Sequence, residues 1–217
     1  MLKALTSLAA PPLCGICGAP CEPRDRICAG CRRELARLRP VRSALPGGLE
    51  VISSAPYEGI AREIVTKMKY SARLTLAEVA AERMVHAWGA ARCGWFVAVP
   101  PAPSRRRARG YDNAHALAQL VARGTPGSQV SSCLERDDGP RQVGRARADR
   151  LADPPRIRPL GARVRLPAGH LCLVDDVVTT GATLQACAAT LRGAGATTVQ
   201  ALTFARAESL GETPLAA

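Results

Sequence analysis

The sequence predicts an α/β protein: a doubly wound, mainly parallel sheet preceded by a small four-cysteine module. Three observations lead there. Short apolar runs, of strand length, alternate with stretches of helical period. The strongest run, Leu171-Cys172-Leu173-Val174, leads into two acids and then a hydroxyl- and glycine-rich turn that opens a helix. Near the N-terminus, Cys14, Cys17, Cys28 and Cys31 form two CxxC pairs.

The cysteine pairs are ten residues apart. A CxxC turn points two thiolates at one centre, and two such turns complete a tetrahedron. Gly15 and Gly18 suit a tight knuckle around the first pair. The expectation is a zinc-ribbon-like module over 1–45 whose Zn2+ is structural, since four protein ligands leave no open position. Two redox CxxC pairs are the alternative. Cys21 is read as a bystander. Nine cysteines in all, an odd number, argue for metal and free thiols in a reducing compartment.

The remaining elements follow in order. Residues 32–38 read as a short basic helix; Pro40 and Pro46-Gly47-Gly48 mark the boundary with a second domain over 46–217. A strand is expected at 49–56. Ile60, Ile64, Val65 and Met68 give a helical period over 60–70, and a second helix over 74–88 stops at Gly89. A strand at 96–99 runs into Pro100-Pro101-Ala102-Pro103, then into a cationic loop with Arg105, Arg106, Arg107, Arg109 and Tyr111. Helices are expected at 113–123 and 184–191, with Gly193 and Gly195 stopping the latter before a strand at 198–204.

Composition sets limits. Aromatic residues are 3% of the 217, so the core must be built from Ala, Val and Leu. No apolar run is long enough to span a bilayer. Residues 1–10 carry one Lys and a brief apolar stretch broken by Thr6 and Ser7; they read as a short helix of a cytoplasmic protein rather than a signal peptide. The net charge is +12, concentrated in residues 102–165, with 14 Lys/Arg against 6 Asp/Glu, and in residues 1–45. A basic field attracts polyanions, whether nucleic acid or a pyrophosphate ligand. Solvated surface written with arginine is the plainer reading.

Asp175 and Asp176 stand at the C-terminal end of a strand, where open α/β sheets place ligands. The turn that follows supplies helix-N-terminal amides, an anion site that glycine lets a ligand approach closely. Carboxylates accept from vicinal hydroxyls while amides hold a phosphate, which suits a sugar phosphate. Alternatively, Asp and Thr simply cap the helix.

An apolar run, two acids, two apolar residues and Thr-Gly-x-Thr resemble the phosphoribosyl pyrophosphate (PRPP) loop of type I phosphoribosyltransferases. The resemblance implies that Asp175 and Asp176 hold the ribose hydroxyls. It places Val177, Thr179, Thr180, Gly181, Ala182 and Thr183 around the ligand, wrapping its 5′-phosphate. Ala55-Pro-Tyr-Glu-Gly59, Lys67-Met-Lys-Tyr70 and Arg109-Gly-Tyr111, in that order behind a four-cysteine module, resemble the ComF family. Its members are amidophosphoribosyltransferase-like proteins associated with natural competence for DNA uptake. The likeness runs from about residue 14 to 206. It implies a pyrophosphate loop at Ala98, Val99 and Pro100, with Arg105 and Arg109 beside it. The family's Val-Pro-Val-Pro is here Val97-Ala98-Val99-Pro100; farther on, Gln142 and Arg150 match its spacing, whereas Arg145 and Asp153 do not.

Two functions follow as expectations. One is a protein that binds PRPP or ribose 5-phosphate and acts in DNA uptake or processing. It would bind single-stranded DNA through Arg105, Arg106, Arg107, Arg109 and Tyr111, with DNA-uptake or processing proteins as partners. The other is an active phosphoribosyltransferase in nucleoside metabolism, using Mg2+ with PRPP and an unidentified nucleobase or amine as acceptor, with catalysis by electrostatic positioning. Tyr111 either stacks on a base or packs in the core. Lys67 and Lys69 either neutralise phosphate or line a solvated helix face. His86, His115 and His170 have no metal spacing and read as structural or surface residues.

Overall fold

A computed structural model describes residues 12–71, 74–89, 93–137, 155–161 and 166–207. The helix expected at 1–10 and residues 138–153 of the basic middle stretch lie outside them.

The cysteine module comes first, followed by α1 (Ala29–Arg37) and the hairpin β1 (Val41–Leu45) and β2 (Leu49–Pro56). Helices α2 (Gly59–Ser71) and α3 (Leu74–Trp88) lead to β3 (Trp95–Ala98), α4 (Pro103–Arg109), α5 (Asn113–Arg123) and β4 (Gln129–Ser131). A small antiparallel pair, β5 (Leu134–Arg136) and β6 (Ile157–Pro159), precedes β7 (Gly169–Val178), α6 (Ala182–Gly193) and β8 (Ala196–Arg206).

The main sheet has six strands in the order β1-β2-β8-β7-β3-β4, all parallel except the antiparallel β1–β2 pair. Chain direction across the sheet reverses between β3 and β7. From β3 the chain moves to β4 at one edge, and from β7 it moves to β8 the other way. Such a reversal opens a crevice at the strands' C-terminal ends, here Ala98 and Val178.

Leu171, Cys172, Leu173 and Val174 of β7 are buried in succession, as a parallel strand covered on both faces requires. Helices α2, α3 and α5 pack together against β2, β3, β7 and β8, and α6 lies on β7 and β8 apart from that layer. Alanines stand where helices meet the sheet: Ala61, Ala80, Ala118, Ala188, Ala201 and Ala205 are all buried. With few aromatics, a ring pair counts: Trp88 and Phe96 meet edge to face at 5.8 Å. Ser53 and Thr203, paired across β2 and β8, share a buried 2.7 Å hydroxyl contact. Cys93, Cys133, Cys172 and Cys187 are buried as small core residues; burial raises the Cys93 thiol to about 11, which makes it inert.

The cationic stretch corrects the sequence reading. It is a helix, α4, not a loop. Pro103 stands at its first turn with φ already set, Arg and Ala are strong helix formers, and Gly110 in the left-handed region ends it. Strand β1 was not expected either. Its hairpin turn is pinned to α6: Gln185 donates to the Pro46 carbonyl at 3.2 Å and Arg192 to that of Gly47 at 3.0 Å.

The cysteine module packs on α2 and α3. Ile16, Ile27 and Leu35 join the same buried cluster as Leu76 and Val79. Arg26 pairs with Glu78 and Glu82, and Lys67 donates to the Ile16 carbonyl. The exposed ion pairs contribute little, ~0–1 kcal/mol each; the apolar contact does most of the docking. Among the described residues no helix is long and apolar enough to cross a membrane.

Candidate functional site

A cavity of about 270 Å³ lies at the topological switch point. The segment after β3 contributes Val99, Pro100, Pro101, Ala102 and Arg105; the end of β7 contributes Asp175, Asp176, Val177, Thr179 and Thr183. Tyr57, Lys69, Tyr111, Asp112, Asn113 and Arg136 complete it. Two segments more than seventy residues apart in sequence thus meet because β3 and β7 are neighbours.

The acids sit on the strand itself, which continues through them to Val178. Alternation along the strand makes them point to opposite faces. Asp176 is 8% exposed and engages two partners: Lys69 Nζ lies 3.5 Å from its Oδ2, and the Asn113 side-chain amide donates to the same oxygen at 3.3 Å. Asp175 accepts from the Asp176 amide at 2.8 Å. Burial, and secondarily the charge of Asp176, push the Asp175 carboxyl up to about 8; its hydrogen bond and Lys69 pull the other way, and Asp112 adds to the rise.

Gly181 caps α6 at φ 76° and has no side chain to accept from the helix amides. Thr180 Oγ1 accepts from Ala182 at a long 3.4 Å. The first turn of α6 therefore keeps donors for an anion. Gly181 is also fixed by space: a Cβ there would come within 2.4 Å of Leu45 Cδ1. Thus β1 props the loop from below.

The segment across the crevice is poor in amide donors. Pro100, Pro101 and Pro103 have no N–H, and the Val99 amide is spent on the Val174 carbonyl at 3.0 Å. Positive side chains take over from backbone donors: Lys69, Arg105 and Arg136 face Asp112, Asp175 and Asp176 around one cavity.

Other expected residues lie elsewhere. Ala98 is buried at the end of β3, and with Arg106 it lines a neighbouring cavity of about 360 Å³ that shares Pro100, Pro101, Asp112 and Arg136. Arg105, Arg106 and Arg107 are exposed along α4, and Arg109 is its last residue. Thr180, Gly181 and Ala182 shape the loop without lining the first cavity. Tyr111 reaches the cavity while its hydroxyl donates to the Met68 carbonyl, tying the C-terminal part of α2, and with it Lys69, to the segment before α5. Lys67, two residues earlier, turns to the cysteine module instead. His115 contacts Ser132 Oγ at 2.7 Å and Gln119 at 3.0 Å, on the wall of the second cavity.

Asn113 and Arg136 were not singled out by the sequence as site residues, and Lys69 was weighed only beside Lys67, as neutralising phosphate or lining a solvated helix face. Asp112 and Asn113 carried a signal: Asp112 caps α5 by accepting from the His115 amide at 3.0 Å, and the next side chain is thereby aimed at Asp176.

At the other end of the chain, the sulfurs of Cys14, Cys17, Cys28 and Cys31 all lie within 4.8 Å of one another. Cys17 and Cys28 Sγ are 3.7 Å apart, close to the ~3.8 Å edge of a tetrahedron with Zn–S bonds of about 2.3 Å. The fold makes the donors compatible with a cation. Gly18 closes the first knuckle by donating to the Cys14 carbonyl at 3.0 Å, and Cys28 caps α1, its sulfur accepting from the Cys31 amide at 3.5 Å. Burial raises the Cys14 thiol, but hydrogen bonds from the amides of Cys17, Cys28 and Ile16 outweigh it and bring it to about 6. Cys31 is pushed well up by burial and by its sulfur neighbours. Four thiolates this close repel one another, and a divalent cation at their centre offsets that. Cys21 stays outside the tetrad, its thiol donating to the Pro12 and Asp25 carbonyls.

No protein-family model matches the sequence, and no curated protein matches it. Solved structures do. The allosteric regulatory enzyme of purine biosynthesis is similar at 21% identity and a TM-score of 0.39, over 58% of this chain and 25% of that one. Orotate phosphoribosyltransferase from Aeropyrum pernix is similar at 15% identity and 0.37, over 80% and 90%. Purine phosphoribosyltransferase from Pyrococcus horikoshii is similar at 15% and 0.35, over 64% and 84%. Likeness this loose carries no argument about the site, which stands on its own geometry.

Proposed function

We propose that the protein is of the ComF type: a zinc module followed by a phosphoribosyltransferase-like domain, its sheet beginning with β1, that binds PRPP or ribose 5-phosphate. One observation carries this reading: the acid pair of β7 and the glycine-capped N-terminus of α6 flank one switch-point cavity. The ribose diol donates to Asp175 and Asp176, and the 5′-phosphate takes the amides of Thr179, Thr180, Gly181, Ala182 and Thr183. Val177 borders the ring. The segment Ala98, Val99, Pro100 faces the C1′ end, where Arg105 supplies the positive charge and Arg109 adds to the field.

Single-stranded DNA is the second ligand in this reading, with action in DNA uptake or processing alongside proteins of that pathway. The support is α4, along which Arg105, Arg106 and Arg107 are exposed, Arg105 lining this cavity and Arg106 its neighbour. Tyr111, half-buried and committed to Met68, serves as a strut rather than a stacking platform.

The neighbouring cavity of about 360 Å³ supports a second reading, phosphoribosyl transfer to a nucleobase or amine. There the C1′–O bond to pyrophosphate breaks and an acceptor nitrogen bonds to C1′, losing its proton to solvent. As for Mg2+, the expected companion of PRPP, oxygen donors suit it in kind. The acid best placed for it, Asp176, already holds Lys69 and Asn113, so the donor set does not fit a dedicated cation site.

Calorimetry with PRPP and with ribose 5-phosphate tests the reading. Heat with the unaltered protein that disappears in Asp175→Ala/Asp176→Ala supports it, and absence of heat with both ligands ends it. Pyrophosphate release across a panel of nucleobases decides between binding alone and transfer.

A further inference from the structure

Asp176 is a buried carboxylate that already has its counter-ion. At 8% exposure it needs compensation for lost hydration, and Lys69 and Asn113 both converge on Oδ2. The placement of Lys69 is built in. Its side chain is itself mostly buried, at 22% exposure. The C-terminal part of α2, which carries it, is held against the segment before α5 by the Tyr111 hydroxyl on the Met68 carbonyl. Asn113 is positioned from the other side, in the first turn of α5, whose N-cap is Asp112.

A divalent cation approaching the acid pair would have to displace an ammonium and an amide from the same oxygen. It would also enter a cavity that already holds Arg105 and Arg136. Across the crevice, the segment that would face a pyrophosphate has three prolines and a committed Val99 amide, so little there helps a metal-bound diphosphate. The sugar and its single phosphate, by contrast, meet matching chemistry: side-chain oxygens of the acid pair for the hydroxyls, amides of the first turn of α6 for the phosphate, and Lys69, Arg105 and Arg136 around the same cavity.

We propose that Lys69 takes the place of a divalent cation at Asp176, so that this site binds a pentose 5-phosphate monoester without Mg2+. The inference rests on the sugar-phosphate reading above and deepens it by assigning the ligand's charge class and the metal requirement. Lys69 is a specificity-determining residue: it favours the monophosphate and excludes the metal from the acid pair.

The test uses the full chain, zinc included, in resin-treated buffer so that no soluble chelator strips the thiolate site. Ribose 5-phosphate is titrated by calorimetry with and without excess Mg2+. The expected result is binding in both, with dissociation constants within about twofold. In Lys69→Met, metal-free affinity falls at least tenfold and Mg2+ restores part of it. A second readout needs no sugar: Mn2+ followed by electron paramagnetic resonance stays free with the unaltered protein and gains one site in Lys69→Met. Binding by the unaltered protein only when Mg2+ is present overturns the inference and leaves the sugar-phosphate reading intact. No binding under either condition overturns both. If Lys69→Met does not fold, the comparison of the unaltered protein with and without Mg2+ and its Mn2+ titration still decide the question.

Discussion

Replacing Asp175 with asparagine should stabilise the protein, and the gain should grow with pH. In the folded chain its carboxyl is pushed from the ordinary 3.8 up to about 8, by burial first and by the charge of Asp176 second. The unfolded chain releases that proton near its ordinary value. Between those two values the folded state therefore binds a proton that the unfolded state does not, and stability falls as pH rises. Four units at ~1.4 kcal/mol each set a ceiling of ~6 kcal/mol. The residue keeps some contact with solvent and Lys69 can adjust, so about 2–4 kcal/mol is the realistic gain at pH 8. Asparagine keeps an acceptor for the Asp176 amide, now bonded at 2.8 Å, and loses only the charge. Urea unfolding of both proteins at pH 5, 6.5 and 8 measures it. The gap should widen by roughly 1 kcal/mol per unit up to pH 8 and then level off. A variant that is less stable, or a gap that does not change with pH, would refute the reasoning.

The other predictions test separate parts of the molecule. Gly181→Ala should cost about 2–4 kcal/mol, since a Cβ meets Leu45 and φ is positive; Leu45→Ala should recover part of it in a thermal melt, and an unchanged melting temperature would contradict the loop geometry. Cys28→Ala removes both a proposed zinc ligand and the cap of α1; zinc should fall from one equivalent by mass spectrometry, and full retention counts against the tetrad. Replacing Arg105, Arg106 and Arg107 together with alanine should weaken single-stranded DNA binding and lower its salt slope by about 2, at ~0.7 per phosphate contact; an unchanged slope assigns DNA to another surface.

The parts of the fold that announced themselves were those with a strong local pattern. The buried strand through Leu171–Val174 could be read because parallel strands covered on both faces need continuous apolar runs, and α5 because its period and its caps agree. Strand β1 was hidden because Arg42 and Ser43 between two prolines look like a linker; only pairing with β2 makes them a strand. Strands β4, β5 and β6, three residues each, are too short to show a period. The arginine stretch was read as a loop because charge was weighed above helix propensity. At the site, the acid pair and the loop were legible as motifs. Lys69 was not: Lys67 and Lys69 lie on well-separated sides of α2, and which side faces the cavity is a tertiary fact. Asp175 and Asp176 look equivalent in sequence, yet one has a cation and an amide while the other meets its neighbour's charge.

The central claim is that this crevice binds a sugar phosphate through the acids of β7. Ribose 5-phosphate titrated by calorimetry at pH 9, where Asp175 is ionised, into the unaltered protein and into Asp175→Asn tests it most directly, because weaker binding in that variant does not arise from unfolding. Saturable heat is expected in the first and at least tenfold weaker affinity in the second, since an amide oxygen accepts more weakly than a carboxylate, with the variant the more stable of the two. No heat with the unaltered protein, or equal affinity in both, would contradict it.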